Sequence, residues 1–183
     1  MKKDWVERTE LLIKEDGLEK LQKANLLVVG LGGVGSFAAE FLARAGVGKM
    51  TIVDGDTVDL TNINRQLPAL NSTLGKPKVE VVAERLLDIN PDLELTQLNQ
   101  FLNPEDMETI FDNHHYDYVL DCIDSVSPKV TLILNARRRK VKIVSCMGAG
   151  GKMDPAKVLV RDIHKTQSCH LAKQVRKRLK KEN

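Results

Sequence analysis

Residues 28–35 read VVGLGGVG, and this stretch decides the fold. It joins the end of a β-branched apolar run to the start of a helix-forming segment through the pattern Gly-x-Gly-x-x-Gly. Glycines let the backbone turn tightly and approach a phosphate, while free N–H groups and the helix dipole attract the anion. The sequence therefore predicts a phosphate-binding loop built on Gly30, Gly32, Gly33 and Gly35.

An acidic residue follows the next apolar run. Residues 50–53 read MTIV and predict a second strand, which ends at Asp54. About 20 residues after such a glycine loop, a carboxylate commonly accepts hydrogen bonds from ribose hydroxyls. The two features together predict an adenine nucleotide, but they do not separate NAD from ATP.

Short β-branched runs alternate with helical segments along the rest of the chain. This alternation predicts an α/β fold of the Rossmann-like, doubly wound class, with a mainly parallel sheet and helices on both faces. The predicted strands are 26–29, 50–53, 93–98, 118–120 and 141–145, with 157–160 as a further candidate. The predicted helices are 36–45, 76–90, 104–111 and 126–140, followed by a helix from 170 onward.

The bulk composition favours one globular domain. A chain of 183 residues can bury a single substantial core, and 42% apolar residues are too many for a disordered chain. The net charge of +3 does not by itself indicate nucleic-acid binding. The absence of a leader-like start and of an apolar run near 18 residues predicts a cytoplasmic protein without a membrane span.

The cysteines do not suggest a metal site. Cys122, Cys146 and Cys169 are far apart in sequence and form no Cys-x-x-Cys pair. Cys122 and Cys146 follow apolar strands, which favours inert core thiols over nucleophiles. Cys169 lies in a polar segment, where we expect some exposure but assign no catalytic role.

The segment that follows Asp54 carries a more specific signal. Residues 54–66 read DGDTVDLTNINRQ, which resembles the nucleotide-binding signature of the ubiquitin-activating-like (ThiF) superfamily. The resemblance implies ATP rather than NAD, with Arg65 and Lys78 contacting the triphosphate. Fixed cations suit that task because charge builds on the leaving pyrophosphate. The remaining nucleotide contacts that it implies are Asp56, Asn62, Asn64, Gln66 and Ser125.

Two further roles come from the same resemblance. Asp124 follows the predicted strand 118–120 and matches the superfamily's magnesium-associated aspartate; one carboxylate suffices where phosphates supply other ligands. Arg8 matches an arginine that reaches the phosphates of a neighbouring subunit. If this role carries over, the protein is a homodimer in which Arg8 acts in trans; otherwise Arg8 is a surface arginine.

Residues 121–134 and 146–155 narrow the resemblance to the tRNA threonylcarbamoyladenosine dehydratases. DCIDSVSPK and GAGGKMDP are the most similar stretches, and the likeness runs from about Arg8 to about Leu179. It implies ATP-dependent adenylation and cyclising dehydration of threonylcarbamoyladenosine in tRNA. Two alternatives stay open: an adenylyltransferase for a ubiquitin-like sulfur-carrier protein, which would bring a sulfur-trafficking partner, and an NAD-binding oxidoreductase or non-catalytic nucleotide-binding module.

The end of the chain predicts a basic amphipathic helix. Leu171, Val175 and Leu179 recur at helical spacing, and lysines and arginines cover the other faces. Contact with tRNA phosphates and simple solvation of a helix end both fit this pattern. Within the single domain 1–183 we expect a helical arm over 1–23, a Rossmann-like core over 24–162 and this helix over 163–183, shorter than in the family.

Overall fold

The computed structural model describes residues 4–182, apart from the side chain of Asp4. Five strands form one sheet: β1 (Asn25–Val29), β2 (Lys49–Val53), β3 (Glu94–Leu98), β4 (Tyr118–Asp121) and β5 (Lys142–Ser145). The α-helices are α1 (Glu7–Lys23), α2 (Gly35–Arg44), α3 (Lys78–Ile89), α4 (Pro104–Asn113), α5 (Val126–Arg138) and α6 (His170–Leu179). No helix of the described chain is long and apolar enough to cross a membrane.

All strand pairs in the sheet are parallel, in the order β3-β2-β1-β4-β5. The predicted α/β doubly wound class is therefore confirmed. The order reverses between β1 and β4, and ligands of open α/β sheets bind in the crevice outside the carboxyl ends at such a switch point. The loop after β1 and the loop after β4 flank this crevice.

Alternate residues of each buried strand face opposite layers, as the period of two requires. Leu26 and Val28 of β1 pack with α2 and α3 on one face. Leu27 and Val29 pack with α4 and α5 on the other face. A third cluster joins the outer side of α5 to α6 through residues such as Val130 and Val175.

The predicted strand at 157–160 is wrong. Pro155–Lys157 forms a 3-10 turn, and the residues after it have no strand partner. Val158 and Val160 are β-branched but 80% and 94% exposed, so they gain nothing from burial. A strand needs a neighbour for its backbone groups, which local sequence cannot supply.

Helix boundaries differ from the predictions by a few residues. Pro77 is the N-cap of α3 rather than part of its first turn, and the helix begins at Lys78. Helix α5 ends at Arg138, because Lys140 takes a left-handed conformation with φ 58°. These shifts leave the order of elements unchanged.

Candidate nucleotide-binding site

The glycine loop leaves β1 in a conformation that requires glycine. Gly30 has φ +90°, and a Cβ there would lie 2.9 Å from the carbonyl oxygen of Cys122. A Cβ at Gly35 would lie 1.7 Å from the carbonyl oxygen of Gly30, which no side-chain movement can relieve. By contrast, the nearest atom to a Cβ at Gly32 is Nε2 of Gln66, 3.7 Å away. Two of the glycines are thus fixed by packing, and Gly32 leaves open space.

The first turn of α2 continues from this loop. Ser36 closes the turn, since its N–H and hydroxyl both donate to the carbonyl oxygen of Gly32. The first turn of α2 contains no acidic residue. The positive end of the helix dipole therefore meets no carboxylate from the helix's own first turn, which favours binding of an anion there.

Asp54 ties the glycine loop to the end of β2. Its Oδ2 accepts a hydrogen bond from the N–H of Leu31 at 2.6 Å, and its Oδ1 accepts one from the N–H of Asp56 at 2.8 Å. A carboxylate has about four lone-pair sites, so ribose hydroxyls can still be accepted. Asp54 thus supports the loop and stays available to a nucleotide.

Lys78 lies at the start of α3 and is linked to the same region. Its Nζ lies 2.9 Å from Oδ2 of Asp56, and the side chain of Lys78 is only 6% exposed. The N–H of Lys78 also donates to the carbonyl oxygen of Asp56. The lysine is therefore held at this edge through Asp56, whose own N–H donates to Asp54.

The Arg65 segment lies over the glycine loop. A Cβ at Gly33 would lie 3.2 Å from the carbonyl oxygen of Arg65 and 3.5 Å from its Cγ. The guanidinium donates through Nη1 to the carbonyl oxygen of Thr61 at 3.0 Å and to Oδ1 of Asn64 at 2.8 Å. Other N–H groups of the exposed guanidinium remain for a ligand.

The neighbours of Arg65 have two different roles. Asn62 is buried, and its Oδ1 accepts the N–H of Asp59 in a capping box, so this oxygen serves the turn. The side chain of Gln66 lies beside Gly32, and its buried Oε1 has no hydrogen-bond partner among the described residues. A buried unsatisfied acceptor is destabilising, and a donor group on a bound nucleotide would satisfy it.

The loop after β4 brings Asp124 and Ser125 to the same crevice. The carbonyl oxygen of Cys122 packs against Gly30, which fixes this loop beside the glycine loop. Both Asp124 and Ser125 are exposed. Ser125 is the N-cap of α5, but its side chain makes no capping hydrogen bond. The structure thus places two polar side chains at the crevice with their oxygens available.

A buried ion pair, which sequence reasoning missed, supports this loop from behind. Nζ of Lys129 lies 2.8 Å from Oδ2 of Asp121, and both side chains are 0% exposed. The Ser145 hydroxyl also donates to Oδ2 of Asp121, and the N–H of Ile123 donates to Oδ1. Burial raises the pKa of the Asp121 carboxyl, while Lys129 opposes that rise.

A signal for this pair does exist in the sequence. Leu132, Ile133 and Ala136 recur at helical spacing and form the buried side of α5. Lys129 falls on the same stripe, three residues before Leu132. A lysine on a buried stripe must meet a carboxylate, because an unpaired buried ammonium is strongly unfavourable.

The three cysteines are free and half-buried. A hydrogen bond with Cys146 and burial raise the pKa of the Cys122 thiol, and the same hydrogen bond lowers the pKa of Cys146. Sγ of Cys169 accepts the N–H of Ala172 at the start of α6. Among the described residues, no group of three or more potential ligands is arranged to hold a metal ion.

Arg8 is the one predicted site residue that the structure does not bring to the crevice. It lies exposed in the first turn of α1. Two residues earlier, Val6 is fully buried, and a Cβ at Gly46 would lie 3.2 Å from its Cγ1. Gly46 precedes β2, so the start of α1 lies at the amino edge of the sheet, opposite the glycine loop. Arg8 therefore does not serve the site of its own chain.

The fold and this crevice define an α/β nucleotide-binding domain, and a family model described as the ThiF family matches residues 6–182. The chain belongs to the ThiF family. It is 47% identical over 175 residues to the tRNA threonylcarbamoyladenosine dehydratase of Bacillus subtilis, covering 96% of this chain and 68% of the relative. The Escherichia coli protein of the same name is 44% identical over 179 residues, with 96% and 66% covered. The chain spans about two thirds of the length of these relatives.

A solved structure supports the same placement. The E. coli dehydratase TcdA in complex with ATP superposes with a TM-score of 0.92 at 44% identity, covering 94% of this chain and 71% of that chain. A relative with another name is also similar: the molybdopterin-synthase adenylyltransferase of E. coli is 40% identical over 139 residues, which is 76% of this chain and 54% of the relative.

Proposed function

We propose that this chain binds ATP in the crevice and uses it for the cyclising dehydration of threonylcarbamoyladenosine in tRNA. The observation that carries the proposal is the meeting of the glycine loop, Asp54 and the Arg65 segment at one sheet edge. The chain that builds this site is 44% identical to a dehydratase solved with ATP and, in another crystal, with AMP. ATP and AMP are the substrate and product that an adenylating enzyme holds.

Activation of a carboxylate explains why ATP is needed. A carboxylate repels nucleophiles and has a poor leaving group. In the proposed reaction, an oxygen of the threonyl carboxylate attacks the α-phosphorus, and the bond to pyrophosphate breaks. An atom of the neighbouring carbamoyl group then attacks the acyl carbon and closes a ring, and AMP leaves with the carboxylate oxygen. The second step is intramolecular, so orientation and exclusion of water supply much of its acceleration.

The protein's part is to hold the phosphates and offset their charge. The loop N–H groups and the amino end of α2 face the crevice, and Arg65 and Lys78 supply cations beside it. Lys78 is paired with Asp56, so we expect its ammonium to be shared with a phosphate oxygen when ATP binds. Gln66 would gain a donor for its unsatisfied Oε1.

A magnesium ion fits the exposed carboxylate of Asp124. The donor chemistry is suitable, because Mg²⁺ prefers oxygen ligands and usually needs only one or two protein carboxylates beside substrate phosphates. When bound, the ion would neutralise charge that develops on the leaving pyrophosphate. Asp121 is not available to it, since its carboxylate is already held by Lys129 and Ser145.

We also propose that the protein is a homodimer, because of where Arg8 lies. The start of α1 lies at the amino edge, so Arg8 can contact phosphates only in a neighbouring subunit. A tRNA substrate also favours a cytoplasmic location. Dimer formation and the Arg8 contact are tested together by mixing an Arg8→Ala chain with an Arg65→Ala chain. Recovery of activity on mixing is expected if Arg8 acts in trans, and no recovery would contradict this role.

The proposed reaction is tested by pyrophosphate and AMP release. The chain with ATP and magnesium is given tRNA carrying threonylcarbamoyladenosine, the same tRNA without the modification, or no RNA. We expect stoichiometric pyrophosphate and AMP only with the modified tRNA, and loss of one water mass from the nucleoside. Equal release with unmodified tRNA, or none with either RNA, would contradict the proposal.

A second candidate is an adenylyltransferase that activates the carboxyl terminus of a ubiquitin-like sulfur-carrier protein. The 40% identity to a molybdopterin-synthase adenylyltransferase favours it. The same assay decides, with a small carrier protein ending in Gly-Gly in place of tRNA. Pyrophosphate release with the carrier alone would support this candidate. An NAD-binding role predicts instead that NAD displaces ATP from the crevice.

A further inference from the structure

Helix α6 and the turn that follows it carry a row of exposed lysines. Its buried residues, which pack against α5 and its surroundings, are Ala172, Val175 and Leu179. The exposed row, here called the lysine row, consists of Lys173, Lys177, Lys180 and Lys181. Lys173 and Lys177 lie one turn apart on the side of the helix away from its buried face. Lys180 and Lys181 follow in the turn after Leu179, the last residue of the helix.

Within residues 4–182, no acidic group neutralises the charge of the lysine row. No Asp or Glu occurs between Asp162 and Glu182. In the part of the chain that the structure describes, no carboxylate lies within ion-pair distance of these four ammonium groups. The arginines of α6 are used differently, since Arg176 donates to the carbonyl oxygen of Thr166 at 2.9 Å. The lysines therefore remain available to an external anion.

Stability of the helix does not explain the row. Cations near a helix C-terminus interact favourably with its dipole, which accounts for the last members. Lys173 lies near the amino end, where the dipole disfavours a cation. Lys173 and Lys177 are like charges four residues apart within the helix, an arrangement that destabilises it. The row is better explained by a polyanionic partner.

The row ends beside the candidate nucleotide-binding site. Nη1 of Arg178 donates to the hydroxyl of Ser127 at 2.7 Å. Ser127 lies in the first turn of α5, three residues after Asp124. The carboxyl end of α6 is thus fixed next to the loop that brings Asp124 to the crevice.

We infer that the lysine row binds the phosphate backbone of the RNA substrate and directs the reacting nucleotide toward the crevice. This inference rests on the proposed function, because an RNA must deliver its modified base to the carboxyl edge. Lysine ammonium groups bind backbone phosphates without reading sequence, so they set affinity and position. Each neutralised phosphate releases counterions, so binding through the row weakens with salt.

The test compares two variants with the same change in net charge. In the first, Lys173, Lys177 and Lys180 are replaced by Glu. In the control, Arg138→Glu, Lys140→Glu and Lys142→Glu reverse three exposed cations at the opposite, amino edge of the sheet. A fluorescently labelled tRNA is titrated with each protein by anisotropy over a series of KCl concentrations, and ATP affinity is measured in parallel by calorimetry.

We expect the α6 variant to bind tRNA at least about tenfold more weakly at 0.1 M KCl, with the slope of log K against log[KCl] smaller by about 2 to 3. The control should lose less than about threefold, and both variants should bind ATP as the unmodified chain does. A milder set, Lys173→Gln, Lys177→Gln and Lys180→Gln, keeps the helix and should show an intermediate loss.

The outcomes separate this inference from the proposed function. Unchanged tRNA affinity in the α6 variant, or equal losses in both variants, would overturn the role of the row while leaving ATP binding intact. Failure of the unmodified chain to bind ATP would overturn the proposed function instead. A loss of binding to phosphatidylserine vesicles, with tRNA binding unaffected, would assign the row to a membrane surface and overturn the RNA inference.

Discussion

The loops after β1 and β4 reach the same crevice but are stabilised by different interactions. The loop after β1 is a backbone structure, in which Gly30 and Gly35 allow the chain to fold against itself. The loop after β4 is held by side chains, through the buried Asp121–Lys129 pair. The difference shows that the crevice combines a loop shaped by backbone packing with a separately anchored loop that carries Asp124. Substitutions should therefore destabilise the first loop through a backbone clash and the second loop through an uncompensated buried charge.

The largest effect is expected from Gly35→Ala. The new Cβ would lie 1.7 Å from the carbonyl oxygen of Gly30, so the backbone must move. We expect a loss of more than about 4 kcal/mol of stability and no measurable ATP binding. Gly32→Ala is the matched control, because its Cβ meets nothing closer than 3.7 Å, and it should change stability by less than about 1 kcal/mol. Urea unfolding measures both, and similar losses would contradict a packing requirement specific to Gly35.

Lys129→Met tests the anchor of the second loop. Removing the ammonium leaves the Asp121 carboxylate buried without its cation, which should lower the free energy of unfolding by about 3 to 5 kcal/mol. Adding Asp121→Asn removes the uncompensated charge and should restore much of that loss. Urea unfolding of the single and double variants measures this. A loss below about 1 kcal/mol in the single variant would show that the pair is not an anchor.

Asp124→Asn should separate chemistry from folding. The exposed side chain has no structural partner among the described residues, so the melting temperature should stay within about 2 °C of the unmodified chain. Pyrophosphate release should fall at least about 100-fold, equivalent to about 2.7 kcal/mol in the barrier. Release at the unmodified rate would remove the proposed magnesium role.

The smallest effect is expected at Glu40, whose carboxylate pairs with two arginines. Glu40 of α2 binds Nε of Arg85 at 2.5 Å and Nη2 of Arg44 at 2.8 Å. The hydrogen bond with Arg85 lowers the pKa of Glu40 below its ordinary value. This stabilisation is present above the unfolded pKa and is lost as pH falls through the folded one.

Glu40→Gln should therefore cost about 0.5 to 1 kcal/mol at pH 7, a value kept small because both arginines are half exposed. The difference between variant and unmodified chain should disappear as the pH is lowered from about 5 to 3. Thermal unfolding at each pH measures it. A difference that persists at pH 3 would show that packing rather than charge explains the effect.

The contrast between the loops also explains what sequence could predict. The glycine loop and Asp54 are local features whose spacing carries their meaning, and the structure joins them by the hydrogen bond from Leu31 to Asp54. The Asp121–Lys129 pair joins a strand end to a helix interior, and Ser145 on another strand completes it, so its partners follow from packing. The prediction of a strand at 157–160 was wrong because a β-prone sequence forms a strand only beside a neighbouring strand, and local sequence does not specify that neighbour. The unsatisfied Oε1 of Gln66 depends on burial, which no motif specifies.

The central claim is that cations beside the glycine loop hold a triphosphate, and ATP titration by calorimetry tests it most directly. Arg65→Ala and Lys78→Ala are compared with Arg138→Ala and Lys142→Ala, which remove exposed cations at the far edge of the sheet. The claim predicts that each site variant weakens ATP binding at least about tenfold and that the controls bind as the unmodified chain does. Unchanged affinity in both site variants, or tighter binding of NAD than of ATP, would contradict it.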